Sequence, residues 1–438
     1  MGGAGATAQR GTIPSSGARL AGIEGMRALA ASSIVLVHVW SSSMPHHEVL
    51  GQGQPIANVF SSLSAGLTLF FTLSGFLLYR PFAAAIARGV PHAPISAYLR
   101  NRFLRIAPAY WVILLVTSAL LATVSLRAAS GDLTVGRLTD PLALAQAALL
   151  LQDYRPSTMV VGIGPAWSLA VELVFYFALP VLVLAARPLA RKAKDRRGRI
   201  LVLLAPPVLL LLIGLSGKAV AAHLFPAGPL AGYGTNWHSV IERSFWAQAD
   251  LFAFGMLVAV LHVEVSDHRL TLPLHWRRIA VGLALLVFVP CAWTMHMGEH
   301  SYLLQNTGEA LAIAIALAAI VLPDFSSTRP LRAVRVLESR IFVAVGIGSY
   351  SLFLWHYPMI TWLRQHGLTV GGWSGLLVNF AIVAVVAGGL SALTYRYVER
   401  PALRRKRSTR VVPAPAEQPV TGAPAAVPAL ASASEPAI

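Results

Sequence analysis

Apolar residues run along this chain in long blocks separated by short polar stretches. About ten blocks reach about 17–23 residues, the length that crosses about 30 Å of hydrocarbon as a helix. They lie at approximately 23–40, 60–79, 108–126, 166–186, 200–216, 245–262, 279–295, 307–322, 341–363 and 373–395. An eleventh apolar stretch, 141–152, is too short to span and is expected to form an interfacial or re-entrant helix. The pattern predicts an all-α, polytopic membrane protein with about ten transmembrane helices.

Composition agrees. Of 438 residues, 56% are hydrophobic and only 12% charged, against about 25% charged in a soluble chain. The net charge of +17 is a value that suits a nucleic-acid binder. The Lys and Arg, however, sit in clusters between apolar blocks, which is a membrane-topology signal and excludes that class. Loop 80–107 carries Arg80, Arg88, Arg100, Arg102 and Arg105, loop 187–199 seven Lys or Arg, loop 263–278 three and loop 323–340 four. Loops 41–59 and 296–306 carry none, and 217–240 only Lys218. Loop 127–165, with Arg127, Arg137 and Arg155, fits least well. The alternation places both termini in the cytoplasm of a multi-pass plasma (inner) membrane protein.

Three regions follow. Residues 1–22 lack a long apolar run followed by a cleavage site and read as a cytoplasmic tail. Residues 23–404 form the membrane-embedded domain. Residues 405–438, basic at first and then Pro/Ala-rich, are expected to be disordered. The single cysteine, Cys291, permits neither a disulfide framework nor a cysteine-based metal site. No metal and no tightly bound cofactor are expected.

Charge inside an apolar block is costly, about 2.5–3.5 kcal/mol at a helix centre, and therefore points to chemistry. The first block carries Glu24, Arg27 and His38. On a helix Glu24 and Arg27 can pair, and Arg27 and His38 share a face about 16 Å apart. The alternative is a hydrogen-bonding His with an Arg reaching to the interface. In the fourth block Ser168, Glu172 and Tyr176 recur at steps of four. Glu172 lies inside the membrane and needs a cationic partner, for which Arg27 and His38 are candidates. Arg102 and Arg105, three apart before Pro108, are either cytoplasmic anchors or a guanidinium clamp for phosphates. Pro108 suits the first turn of the third helix. Ser74 and Gly75 suit close helix packing. His356 precedes Pro358 in the ninth block, and Glu399-Arg400-Pro401 reads as a structural helix end.

These residues fall in an order that resembles the acyltransferase-3 family of bacterial membrane acyltransferases. The order is Arg27 and His38 with ten residues between them, then Phe70-Phe71, Ser74-Gly75-Phe76, Arg102, Arg105 and Pro108. It continues with Trp167-Ser168, Glu172, Phe175-Tyr176, Ser349-Tyr350-Ser351, Trp355-His356 and Glu399-Arg400-Pro401. The similarity spans about residues 20–404. It implies a ten-helix enzyme that takes an acyl group, acetyl above all, from acyl-CoA and passes it to a hydroxyl of a glycan, glycolipid or macrolide-type acceptor. Arg27 and His38 map to the family's functional signature and Glu172 to its membrane acid. Two departures stand out. Leu173 occupies a position where members often carry a second acid, and a C-terminal hydrolase-like domain of some members is replaced by the tail, so single-component transfer and a separate partner both stay open.

Chemically, a neutral His38 suits removal of the acceptor hydroxyl's proton and equally suits accepting the acyl group itself. Arg27 or a nearby amide is then the counter-dipole for the oxyanion. His38, Arg27 and Glu172 form the expected catalytic set, with Arg102, Arg105, Ser168, Tyr176 and His356 on substrates. A permease for a sugar or anionic metabolite, relaying through Arg27, His38 and Glu172, is the second reading. It is weakened by the lack of matched Gly/Pro-broken helix pairs in the two halves. A scaffold role is a third.

Overall fold

The computed structural model describes residues 20–44, 55–128, 130–193, 195–225, 234–293, 301–323, 325 and 331–407. Among the described residues, ten helices are long and apolar enough to cross a membrane, as expected. We number them α1 (Ile23–Ser43), α2 (Ala65–Arg88), α3 (Ile95–Leu115), α4 (Trp167–Lys192) and α5 (Arg196–Leu224), then α6 (Phe245–Ser266), α7 (Trp276–Trp293), α8 (Ser301–Val321), α9 (Arg340–Gln365) and α10 (Gly372–Thr394). Their outer faces show Leu201, Leu286, Leu377 and Val385, the inversion of a soluble protein that a lipid surround favours.

Helix α6 lies at the centre, packed against α2 and α5, while α1 packs on α9. Close approach comes from small residues. A Cβ on Gly75 of α2 would strike the Phe252 carbonyl of α6, and one on Gly255 of α6 would strike the Thr72 carbonyl of α2. Phe252 in turn stacks on Phe175 of α4 (4.2 Å) and Phe71 of α2 (4.8 Å), welding three helices together. A second tie is polar. Lys218 of α5 donates to Asp250 of α6 (2.5 Å), and Thr307 of α8 bonds both. Both charges are almost wholly buried, so Lys218 is a packing residue in α5 and not the loop charge its position suggested.

Several boundaries differ from the sequence reading. Helix α2 runs on to Arg88, where Gly89 at φ +67 ends it. Helix α3 starts at Ile95, so Arg102 and Arg105 sit within it and Pro108 lies in its interior. Its first three turns carry Arg100, Asn101, Arg102 and Arg105, and an apolar-run criterion begins only after them. At its far end the chain makes a π-turn at Val116–Leu120 and then a strand, β1 (Val124–Arg127), where the third span was expected to continue. Strand β1 pairs antiparallel with β2 (Leu133–Gly136). Arg127 braces this hairpin by donating to the Met159 and Gly131 carbonyls. The short apolar stretch forms an eight-residue helix, Pro141–Ala148, capped by the Asp140 side chain, too short to cross. Residues 1–19 and 408–438, most of both expected tails, lie outside the described residues.

Candidate active site

Among the described residues, one cavity opens at the Arg27 end of α1 and another at its His38 end. The first, about 110 Å³, is lined by Arg27, Arg102, Arg105, Ser168, Glu172 and Tyr176 together with apolar residues of α2 and α9. Arg105 pairs with the buried Glu399 at 3.0 Å, and Glu399 also accepts from Ser351 at 2.5 Å. Glu172 accepts from Ser74 at 2.6 Å. The Arg102 guanidinium lies over the Tyr176 ring and that of Arg105 over Tyr350, each slightly under 6 Å from the centroid.

Donor capacity is left over. The buried Nε of Arg102 has no partner. Arg27 has no direct ion pair among the described residues, although Glu24, Glu172 and Glu399 all act on it through space. Lys406 adds a fourth cation: the Asn101 side chain and the Arg407 backbone exchange two hydrogen bonds, which lays this segment against α3. Burial, then the nearby Arg102, Arg105 and Arg27 charges, push the Lys406 ammonium down to about 8. A cationic pocket with unspent guanidinium donors suits a phosphorylated anion.

The second cavity, about 290 Å³, is lined by His38, Tyr357, Trp167, Arg243, Gln248 and Ser125 among others, so the β1–β2 segment forms one of its walls. The Nδ1 of His38 lies 3.0 Å from Nε2 of the fully buried His356, the two rings stacking at 5.1 Å between centroids. Tyr357 meets the His38 ring edge-on at 5.4 Å. The Arg243 guanidinium covers the Trp167 indole at 4.4 Å. Just behind, burial pushes the Asp153 carboxyl up to about 6 despite a hydrogen bond from the Val160 amide. Aromatic faces beside hydrogen-bonding groups suit a polyhydroxylated ligand.

Leu67, Phe71 and Phe353 line both cavities and stand between them as a collar. The collar divides the expected catalytic set. Arg27 and Glu172 line one cavity and His38 the other, so the collar parts Glu172 from His38, while Glu172 accepts from Ser74 and reaches Arg27 only through space, with no direct ion pair among the described residues. Glu24 does not pair with Arg27, and its Oε2 is orphaned, because Arg27 turns into the cavity instead. An oxyanion formed at His38 is out of reach of Arg27, about 16 Å away along the helix.

Ser168, Tyr176, Arg102 and Arg105 do converge. His356 faces His38 rather than open space. The sequence reading missed Glu399, Ser351 and Lys406 as parts of this region. Glu399 stood in a noted motif, but only the π-turn at Tyr395–Glu399 swings its carboxylate inward.

The sequence matches the acyltransferase domain family over residues 20–396. It is 25% identical over 417 residues to acyltransferase MdmB of Streptomyces mycarofaciens, covering 91% of this chain and 96% of that one. It is 26% identical over 405 residues to nodulation protein 10 of Rhizobium leguminosarum bv. viciae, covering 87% of this chain and 93% of that one. No solved structure matches it. With a family match along most of its length and, among the described residues, ten helices long and apolar enough to cross a membrane, the chain belongs to the acyltransferase-3 family of membrane acyltransferases.

Proposed function

We propose that the protein moves an acyl group, acetyl above all, from cytoplasmic acyl-CoA to a hydroxyl of a glycan, glycolipid or macrolide-type acceptor, as a multi-pass plasma (inner) membrane O-acyltransferase with both termini in the cytoplasm. The observation that carries this reading is the pair of unlike cavities on either side of one collar, cationic at one end and imidazole-bearing at the other. The arginine end faces the cytoplasm, where Arg27, Arg102, Arg105 and Lys406 hold the phosphates of CoA and Glu172, Ser168 and Tyr176 flank its arm. The thioester reaches past the collar to His38. The acceptor enters the second cavity.

His38 acts as the base there. In the tautomer with its proton on Nδ1, facing His356 Nε2 at 3.0 Å, His38 keeps the Nε2 lone pair for the acceptor hydroxyl. The acceptor oxygen bonds to the acyl carbon, the carbon–sulfur bond breaks, and the hydroxyl proton passes through His38 to the departing CoA sulfur. No group outside the two substrates is consumed. Similarity to a protein named as an acyltransferase over nearly its whole length favours this reading over a permease.

The test is CoA release by purified protein in proteoliposomes. His38→Gln keeps a hydrogen-bonding group but cannot take and return a proton, so turnover should fall at least about 10²-fold, the low end for a general base, with acyl-CoA binding retained. A well-folded His38→Gln protein turning over at the parent rate would refute the assignment.

A further inference from the structure

The collar has a shape that bears on which acyl groups are used. Leu67 contributes from α2, one turn before Phe71, and Phe353 from α9. Phe71 is almost fully buried and stacked on Phe252, which is itself stacked on Phe175. Phe353 is held edge-on by Phe70 at 6.0 Å and lies 5.7 Å from the His356 ring. Two of its three members are therefore fixed by packing on other rings, and cores of this kind yield little to added volume. Leu67 is only partly buried.

On the donor reading above, everything that reaches His38 from the cationic cavity passes this point. The acyl group goes first, and the sulfur end of the pantetheine arm follows it. That end of the arm is an unbranched chain, so an opening that admits it also admits an unbranched acyl chain. A branch beside the carbonyl widens the leading group where it meets the rings. Length is a separate matter, because once through the collar the chain lies in the larger cavity of about 290 Å³. We propose that Leu67, Phe71 and Phe353 form a gauge that selects the acyl donor by cross-section, passing straight-chain acyl groups and rejecting those branched beside the carbonyl.

The inference rests on the donor reading, and the test separates the two. CoA release is measured with acetyl-, n-butyryl- and isobutyryl-CoA, using the full chain in proteoliposomes with octyl β-glucoside as the acceptor. The two four-carbon donors have the same atoms and charge and differ only in branching. The parent should favour n-butyryl over isobutyryl by at least about tenfold in kcat/KM, roughly the worth of a misplaced methyl group against a packed wall. Leu67→Ala should shrink that ratio at least fivefold, and Leu67→Phe should enlarge it. The ratio is internal to each preparation, so partial loss of folded protein does not move it. Phe353→Leu provides a second opening of the same collar and should act like Leu67→Ala. Equal use of the two donors by the parent, or a ratio that no substitution changes by twofold, overturns the gauge while leaving acyl transfer standing. Failure to release CoA from any donor overturns the donor reading and the gauge together.

Discussion

Replacing His356 with Phe isolates the imidazole pair. Phenylalanine keeps a ring to stack on His38, whose centroid lies 5.1 Å away, but removes the nitrogen that meets His38 Nδ1 at 3.0 Å. His38 keeps its reactive nitrogen and loses only what holds its proton on the far side of the ring. An unmade buried hydrogen bond costs about 1–3 kcal/mol. At about 1.4 kcal/mol per tenfold that is about a 5- to 150-fold loss in kcat. His356→Gln, which can still reach a ring nitrogen, should recover part of it. KM for acyl-CoA should stay within about twofold, since His356 touches neither cavity's cationic wall. The assay is single-turnover CoA release, with monodispersity checked for each variant. Because His356 acts through His38, adding His356→Phe to His38→Gln should cost less than about threefold more, a coupled pair in the sense of a double-mutant cycle. Turnover within twofold of the parent for His356→Phe, or a double variant showing the full product of the two losses, would sink the positioning role.

The remaining predictions concern the cationic end and its sidedness. Arg102→Gln should raise KM for acyl-CoA with little effect on stability, whereas Arg105→Gln strands the Glu399 carboxylate, 1% exposed, and should destabilise the fold by about 3–5 kcal/mol. Adding Glu399→Gln should restore expression and thermal stability, and equal stability of the two arginine variants would contradict this division. Lys406 is charged below about 8 and neutral above it, so kcat/KM for acyl-CoA should fall as pH rises through that value. Lys406→Met should flatten that limb of the profile, and an unchanged limb would remove Lys406 from donor binding. A reporter fused after Arg410 should be cytoplasmic, and a signal from the opposite side would invert every assignment of donor and acceptor entry.

The apolar runs alone determined the class of fold, because about 17–23 predominantly apolar residues suffice to specify a crossing whatever surrounds them. They also exposed the candidate residues, since Arg27, His38 and Glu172 stand out only against an apolar background. The ends of the helices were less legible. The first turns of α3 are arginine-rich yet helical, and β1 follows a π-turn where hydropathy alone saw more span. Which polar groups meet was decided only by tertiary structure. Helical spacing puts Arg27 and His38 on one face, but it carries no information about the rings of α2 and α9 that come between them. Glu172 meets Ser74 and not a cation, Glu399 turns inward at a π-turn to take Arg105, and His38 finds His356 from 318 positions away. Each of these contacts depends on how close two helices approach, for the imidazole pair α9 against α1, where a Cβ on Gly346 would strike the Glu24 carbonyl. That approach is set by side chains distant in the sequence, and no local pattern records it.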